Sequence, residues 1–197
     1  MKSLKFILLT SMLFVSTQAF AQFTTGGRGK SSSSYSASYD YAPKTGYKGF
    51  LDFGYGLGLG DTSADRIQLT TSHGYQISPY IYASVGVGCS YFTSGELFNI
   101  PIFANGRFTL PLSNSKVCPF FDYKIGYSAG DVSGFYMAPS AGIRVAMGEK
   151  CGFNISIGYE MQKATVSYFY FYGDYYYDYG EETANCGAFN FKIGIDF

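Results

Sequence analysis

The chain has 197 residues, of which 20 % are aromatic and only 14 % charged, with 25 glycines and no tryptophan. Soluble domains carry about 25 % charged residues, so a surface this poor in charge does not face water throughout. Basic and acidic residues balance at 14 each. No basic patch marks a nucleic-acid partner, and no later run of about 18 apolar residues marks a membrane helix.

Residues 1–21 read as a secretory leader. Lys2 and Lys5 form a basic start, Phe6 to Val15 an apolar core, and Ala19-Phe20-Ala21 a small-residue cleavage site. The apolar run is short for an anchor helix, and no cysteine follows it to carry a lipid. Without the leader the chain has 12 basic and 14 acidic residues, a net charge of −2. Residues 22–47 are rich in Ser, Gly, Thr and Tyr, with a serine run from Ser31 to Ser34. That composition buries little and predicts a flexible segment.

From residue 48 onward the sequence alternates. The first segment, 48–60, sets Leu51, Phe53, Tyr55, Leu57 and Leu59 against Asp52 and glycines. The second, 66–76, sets Ile67, Leu69, Thr71, His73 and Tyr75 on one face. The third, 80–92, follows the turn Ile77-Ser78-Pro79 and alternates Ile81, Ala83, Val85, Val87, Cys89 and Tyr91 with small polar residues. In the fourth, 98–110, Ile100, Ile102, Ala104, Phe108 and Leu110 oppose Asn99, Asn105, Arg107 and Thr109. The fifth, 118–129, opposes Tyr123, Ile125 and Tyr127 to Asp122 and Lys124. The sixth, 135–147, opposes Met137, Ile143, Val145 and Met147 to Arg144. The seventh, 153–163, opposes Phe153, Ile155, Ile157, Tyr159 and Met161 to Glu160. The last, 187–197, opposes Phe189, Phe191, Ile193, Ile195 and Phe197 to Asn190, Lys192 and Asp196. Period-two alternation is the mark of β-strands. Segments of about ten residues suit tilted strands that cross a bilayer.

With helices excluded, only a closed barrel can span a membrane. The predicted fold is therefore an all-β, eight-stranded antiparallel up-and-down transmembrane barrel over 48–197. An even strand number puts both ends on one side, predicted periplasmic. Alternation alone also fits a soluble barrel with a greasy interior. Two features oppose that reading. The polar face is mostly small and sparsely charged, as the crowded lumen of eight strands requires. Its charges also balance, with Asp52, Asp122, Glu160 and Asp196 against Arg107, Lys124, Arg144 and Lys192, and buried charges must be paired. Asp196 is expected at the wet periplasmic rim.

Three stretches, GYQISPYIYASVGVGCSY from Gly74, IPIFANGRFTL from Ile100 and the terminal FKIGIDF, resemble the small OmpA/OmpX-like barrels, the outer membrane protein β-barrel domain family of Gram-negative bacteria. The resemblance covers 48–197. It implies an outer-membrane location in contact with lipid. It also implies insertion by the outer-membrane assembly machinery, which reads a final strand ending in Phe, here Ile193, Ile195 and Phe197. It brings no catalytic residues.

The residues themselves suggest little chemistry. His73 is the sole histidine and falls on the lipid-facing phase, where an interfacial role is expected. No His/Cys cluster has metal-ligand spacing, and no cofactor is expected. Four cysteines in an exported chain can oxidise. Cys118 and Cys151 both fall at periplasmic turns and are the candidate disulfide, while Cys89 and Cys186 are expected as free thiols. The long connection 164–185 carries Tyr168, Tyr170, Tyr172, Tyr175, Tyr176, Tyr177 and Tyr179. It reads either as an aromatic girdle with a variable loop, or as a hairpin presenting tyrosines to a surface glycan or protein. A structural or surface-interaction role is expected, with a transport pore and then a lipid-modifying enzyme as alternatives.

Overall fold

The computed structural model describes residues 41–59, 64–93, 97–112, 115–148, 150–172 and 176–197, with the backbone alone for 164–172 and 176–184. The expected leader, residues 22–40 of the expected flexible segment, and Tyr175 lie outside these residues.

Eight strands form: β1 Gly46–Leu59, β2 Arg66–Gln76, β3 Ile81–Phe92, β4 Leu97–Thr109, β5 Val117–Gly130, β6 Gly134–Ala146, β7 Gly152–Tyr172 and β8 Tyr176–Asp196. They make one closed barrel in sequence order. Every pairing is antiparallel, and β1 closes on β8 from Phe50–Asp196 to Leu59–Gly187. Closure leaves no edge along the wall, so the backbone polar groups there are satisfied within the sheet. The chain enters β1 and leaves β8 at the same end, called here the terminal end. The opposite end carries the β1–β2, β3–β4, β5–β6 and β7–β8 connections and is called the loop end.

The apolar phase of each strand points outward. Val85 is 70 % exposed and Ile102 60 %, whereas Lys124 is 2 % and Glu160 0 % exposed. This inverts the arrangement of a soluble protein and confirms the predicted orientation of the faces. Two prolines interrupt the ladders. The β3–β4 pairing steps from Val87–Ile102 to Ser90–Asn99 over Pro101, and β6–β7 from Met137–Met161 to Ser140–Gly158 over Pro139. Proline has no N–H to give.

The inner phase holds more than small and charged groups. Phe50, Tyr82, Phe92, Phe103, Phe120 and Tyr136 are all buried. Glycines on facing strands make room for these rings. A Cβ on Gly86 would lie 2.7 Å from Phe103 Cζ and 2.6 Å from the Thr71 carbonyl.

β7 and β8 are much longer than the other strands, at 21 residues each. β6 follows β7 as far as Tyr136–Gln162, and β1 follows β8 as far as Leu59–Gly187. From Lys163–Asn185 to Tyr172–Tyr176 the two strands are paired with each other. Among the described residues no other strand is paired with either of them beyond Ala164–Ala184. At about 3.4 Å per residue this two-stranded ribbon runs roughly 30 Å past the wall. The sequence reading ended the seventh segment at 163 and began the eighth at 187, so both strands extend well into the expected loop.

The expected Cys118–Cys151 disulfide is not formed. None of the four cysteines is in a disulfide. Cys118 lies within β5 opposite Arg144 of β6, and Cys151 precedes β7. The intervening strand holds them about two inter-strand spacings, ~9.6 Å, apart, beyond the ~7 Å that a disulfide tolerates. Burial, with Asp196 acting in the same direction, pushes the Cys151 thiol up.

Candidate functional site

Two features stand apart from a plain barrel wall: the packed lumen and the ribbon at the loop end. In the lumen the structure gathers all seven residues expected for the charge network, Asp52, Arg107, Asp122, Lys124, Arg144, Glu160 and Lys192, and each is buried. It adds three. Asp196, expected at a wet rim, is 1 % exposed, and Lys48 and Arg66 also point inward. The expected four-to-four balance is thus six cations to four anions among the described residues.

Asp196 organises the terminal end. Its carboxylate accepts from Arg144 Nε and Nη2 at 2.9 Å each, from Asn154 Nδ2 at 2.9 Å, and pairs with Lys48 at 2.7 Å. A two-pronged guanidinium contact fixes geometry as well as charge.

In the middle, Arg107 Nε donates to Asp122 Oδ1 at 3.1 Å and its Nη1 to Asn154 Oδ1 at 3.1 Å. Its guanidinium lies between two rings, 4.0 Å from the centroids of both Phe50 and Phe120. A desolvated cation over two aromatic faces is strongly held. Phe50 stands on β1 and Phe120 on β5, four strands away whichever way the barrel is followed. The ring–guanidinium–ring stack is therefore a bar across the lumen. Beside it, Lys124 Nζ donates to Asp52 Oδ2 at 3.0 Å and lies 3.9 Å from Asp122.

Toward the loop end, Glu160 is the hub. Oε1 accepts from Arg66 Nη1 at 3.0 Å and Gln68 Nε2 at 2.6 Å. Oε2 accepts from Tyr136 Oη at 3.2 Å and Asn190 Nδ2 at 2.9 Å, with Lys192 at 3.7 Å. Four hydrogen bonds fill the carboxylate's acceptor capacity. Each of the four buried carboxylates is thus met by at least one buried cation.

The terminal end of β8 places Ile193 and Ile195, with Phe197 just beyond it, on the lipid-facing phase, with Ile193 50 % exposed. Phe197 is bonded to Gly49 in both directions, at 2.9 and 3.0 Å. His73 packs edge-on against Phe197, with ring centroids 6.2 Å apart. Thr71 Oγ1 donates to the Phe50 carbonyl at 3.1 Å, so toward His73 Nε2, 3.0 Å away, it can only accept. The proton is therefore assigned to Nε2, and Nδ1 accepts from Tyr47 Oη at 2.7 Å. Both ring nitrogens are engaged in structure.

At the loop end, two connections are tied to the rim. Asp65 accepts from Gly58 N at 3.1 Å and Tyr55 Oη at 2.8 Å. These bonds hold its carboxyl below the usual carboxylate range. Asp131 accepts from Phe98 N at 2.8 Å. Of the candidate binding tyrosines, 168, 170, 172, 176, 177 and 179 lie on the ribbon backbone.

A closed eight-stranded antiparallel barrel, apolar outside and ion-paired within, is the architecture of transmembrane β-barrels. No family model and no curated protein matches the chain. Among solved structures it is similar to Neisserial surface protein A, at 12 % identity and a TM-score of 0.58, over 76 % of this chain and 95 % of that one. It is also similar to the outer membrane protein OprG from Pseudomonas aeruginosa, at 11 % identity and a TM-score of 0.54, over 79 % and 97 %. At these identities the likeness is one of fold.

Proposed function

We propose that this protein is an integral outer-membrane barrel whose role is structural and surface-interacting, with the β7–β8 ribbon as the element that meets a partner. The termini lie on the periplasmic side in this reading, and the ribbon projects outward. The observation that carries it is the register beyond the wall, where from Ala164–Ala184 onward β7 and β8 pair with each other and, among the described residues, with no further strand. Two strand edges outside a barrel are available to an incoming strand. The ribbon's sequence is dense in tyrosine, a residue that gives contact area and a hydroxyl at low entropic cost. A surface glycan or protein is the partner class. The bar made by Phe50, Arg107 and Phe120 speaks against a transport pore. The engagement of both His73 nitrogens speaks against that residue acting as a base, and we assign no catalytic role.

The test is deletion of Tyr168–Tyr179, which leaves the wall pairings untouched. Cells carrying the deleted protein should assemble the barrel normally and lose surface adhesion. The refolded barrel should likewise lose its hits in a screen against glycans and matrix proteins. Unchanged adhesion and an unchanged screen would overturn the reading.

A further inference from the structure

The chain reaches β1 by crossing the terminal mouth of the barrel. Tyr41 lies against the far wall. Its carbonyl accepts from Arg144 Nη1 of β6 at 3.3 Å and from the Cys118 thiol of β5 at 4.0 Å. The Lys116 ammonium stands 5.6 Å from the centroid of its ring. Gly46, five residues on, opens β1. β1 and β5 are opposite one another in the eight-strand order. A stretch of five residues reaches at most about 17 Å, and residues 41–45, bent at both ends, make the short crossing from one wall to the other. Pro43 in the middle of the span is buried.

We infer that residues 41–45 are a strap that seals the terminal mouth of the lumen. Three features support this. Arg144 commits Nε and Nη2 to Asp196, which leaves Nη1 free to hold the strap. The guanidinium thus links the lumen network to the crossing chain. Cys118, beneath the strap, is fully buried although it is the second residue of its strand. Gly46, where the strap turns into the wall, has φ +134° with no atom within 4 Å of a would-be Cβ. Space does not require glycine there, but the backbone turn does. The seal lies at the opposite end from the ribbon and does not depend on the ribbon's role.

The test uses the accessibility of Cys118 in the full mature chain with Cys89, Cys151 and Cys186 changed to serine. A water-soluble maleimide should label Cys118 slowly. Replacing residues 41–45 with a Gly/Ser sequence should speed labelling about tenfold or more, because the rate follows the population of locally open states. The unboiled protein should keep its compact gel mobility. Equal rates in the two proteins would overturn the proposal. Should the exchanged chain fail to reach the compact form, Tyr41→Cys in the same background decides. An oxidant-driven disulfide from position 41 to Cys118 in the compact form supports the strap, and two free thiols overturn it.

Discussion

The guanidinium of Arg107 stands 4.0 Å from the Phe50 ring centroid, and with Phe120 on its other face it bars the lumen. Arg107→Met removes the cation from between the rings and leaves Asp122 with Lys124 at 3.9 Å as its remaining ion pair. The barrel should lose about 3–5 kcal/mol, as expected for a buried pair broken on one side. Urea unfolding in lipid vesicles measures this. Adding Asp122→Leu should recover part of the loss, and an additive double variant would contradict the pairing.

The same bar predicts electrical silence. In planar bilayers the intact protein should give no stable, large conductance steps, because eight strands leave room for side chains only. Regular steps of one size would show that the lumen opens.

Glu160→Gln removes the single charge that answers both Arg66 and Lys192. We expect a loss of about 3–5 kcal/mol. The coupling between Glu160→Gln and Arg66→Met should be about 0.5–3 kcal/mol in a double-mutant cycle. A coupling near zero would mean that the Arg66 contact carries no net energy.

Gly86→Val places atoms where the Phe103 ring and the Thr71 carbonyl already lie. Overpacking of this kind costs about 1–3 kcal/mol. A lower unfolding midpoint is expected. Gly106→Ala, with no atom within 4 Å of a would-be Cβ, should leave the midpoint where it is.

The Asp65 latch has a defined pH direction. Hydrogen bonds from Gly58 N and then Tyr55 Oη lower its carboxyl below the ordinary value of 3.8. A depressed acid stabilises above its unfolded value and loses that contribution as pH falls through the folded one. Protection of the Gly58 amide should therefore hold from neutral pH down past the ordinary carboxylate range and fail only below it. Protection lost at or above the ordinary value would contradict the latch.

The wall was legible in the sequence because its contrast is strong. Phe53, Tyr55, Leu57 and Leu59 alternate with glycines, and a one-residue error would turn every one of them inward. The missed lumen residues sit where contrast fails. Phe50 adjoins outward Leu51 in an apolar pair, so its inward phase was hidden. Lys48 and Arg66 stand at strand starts, where a charged residue reads as a rim. Asp196 was misplaced for the same reason at the other terminus. The ribbon blurs differently, since tyrosines fall on both phases and the period loses amplitude. The cysteine pairing failed because sequence gives the end of a strand on which a residue falls and says nothing of lateral distance.

Seven of the eight strand pairings join neighbours in sequence, and each can form as a hairpin. The eighth joins β1 to β8, pairing Phe50 with Asp196 across nearly the whole barrel sequence. The entropy of closing so long a loop grows only with the logarithm of its length, but contacts of such separation form slowly. Folding should therefore reach a curled sheet quickly and then wait on this one joint. During that wait β1 and β8 are bare edges. The yield of native protein then depends on whether the chain finds its own other edge before a foreign strand does.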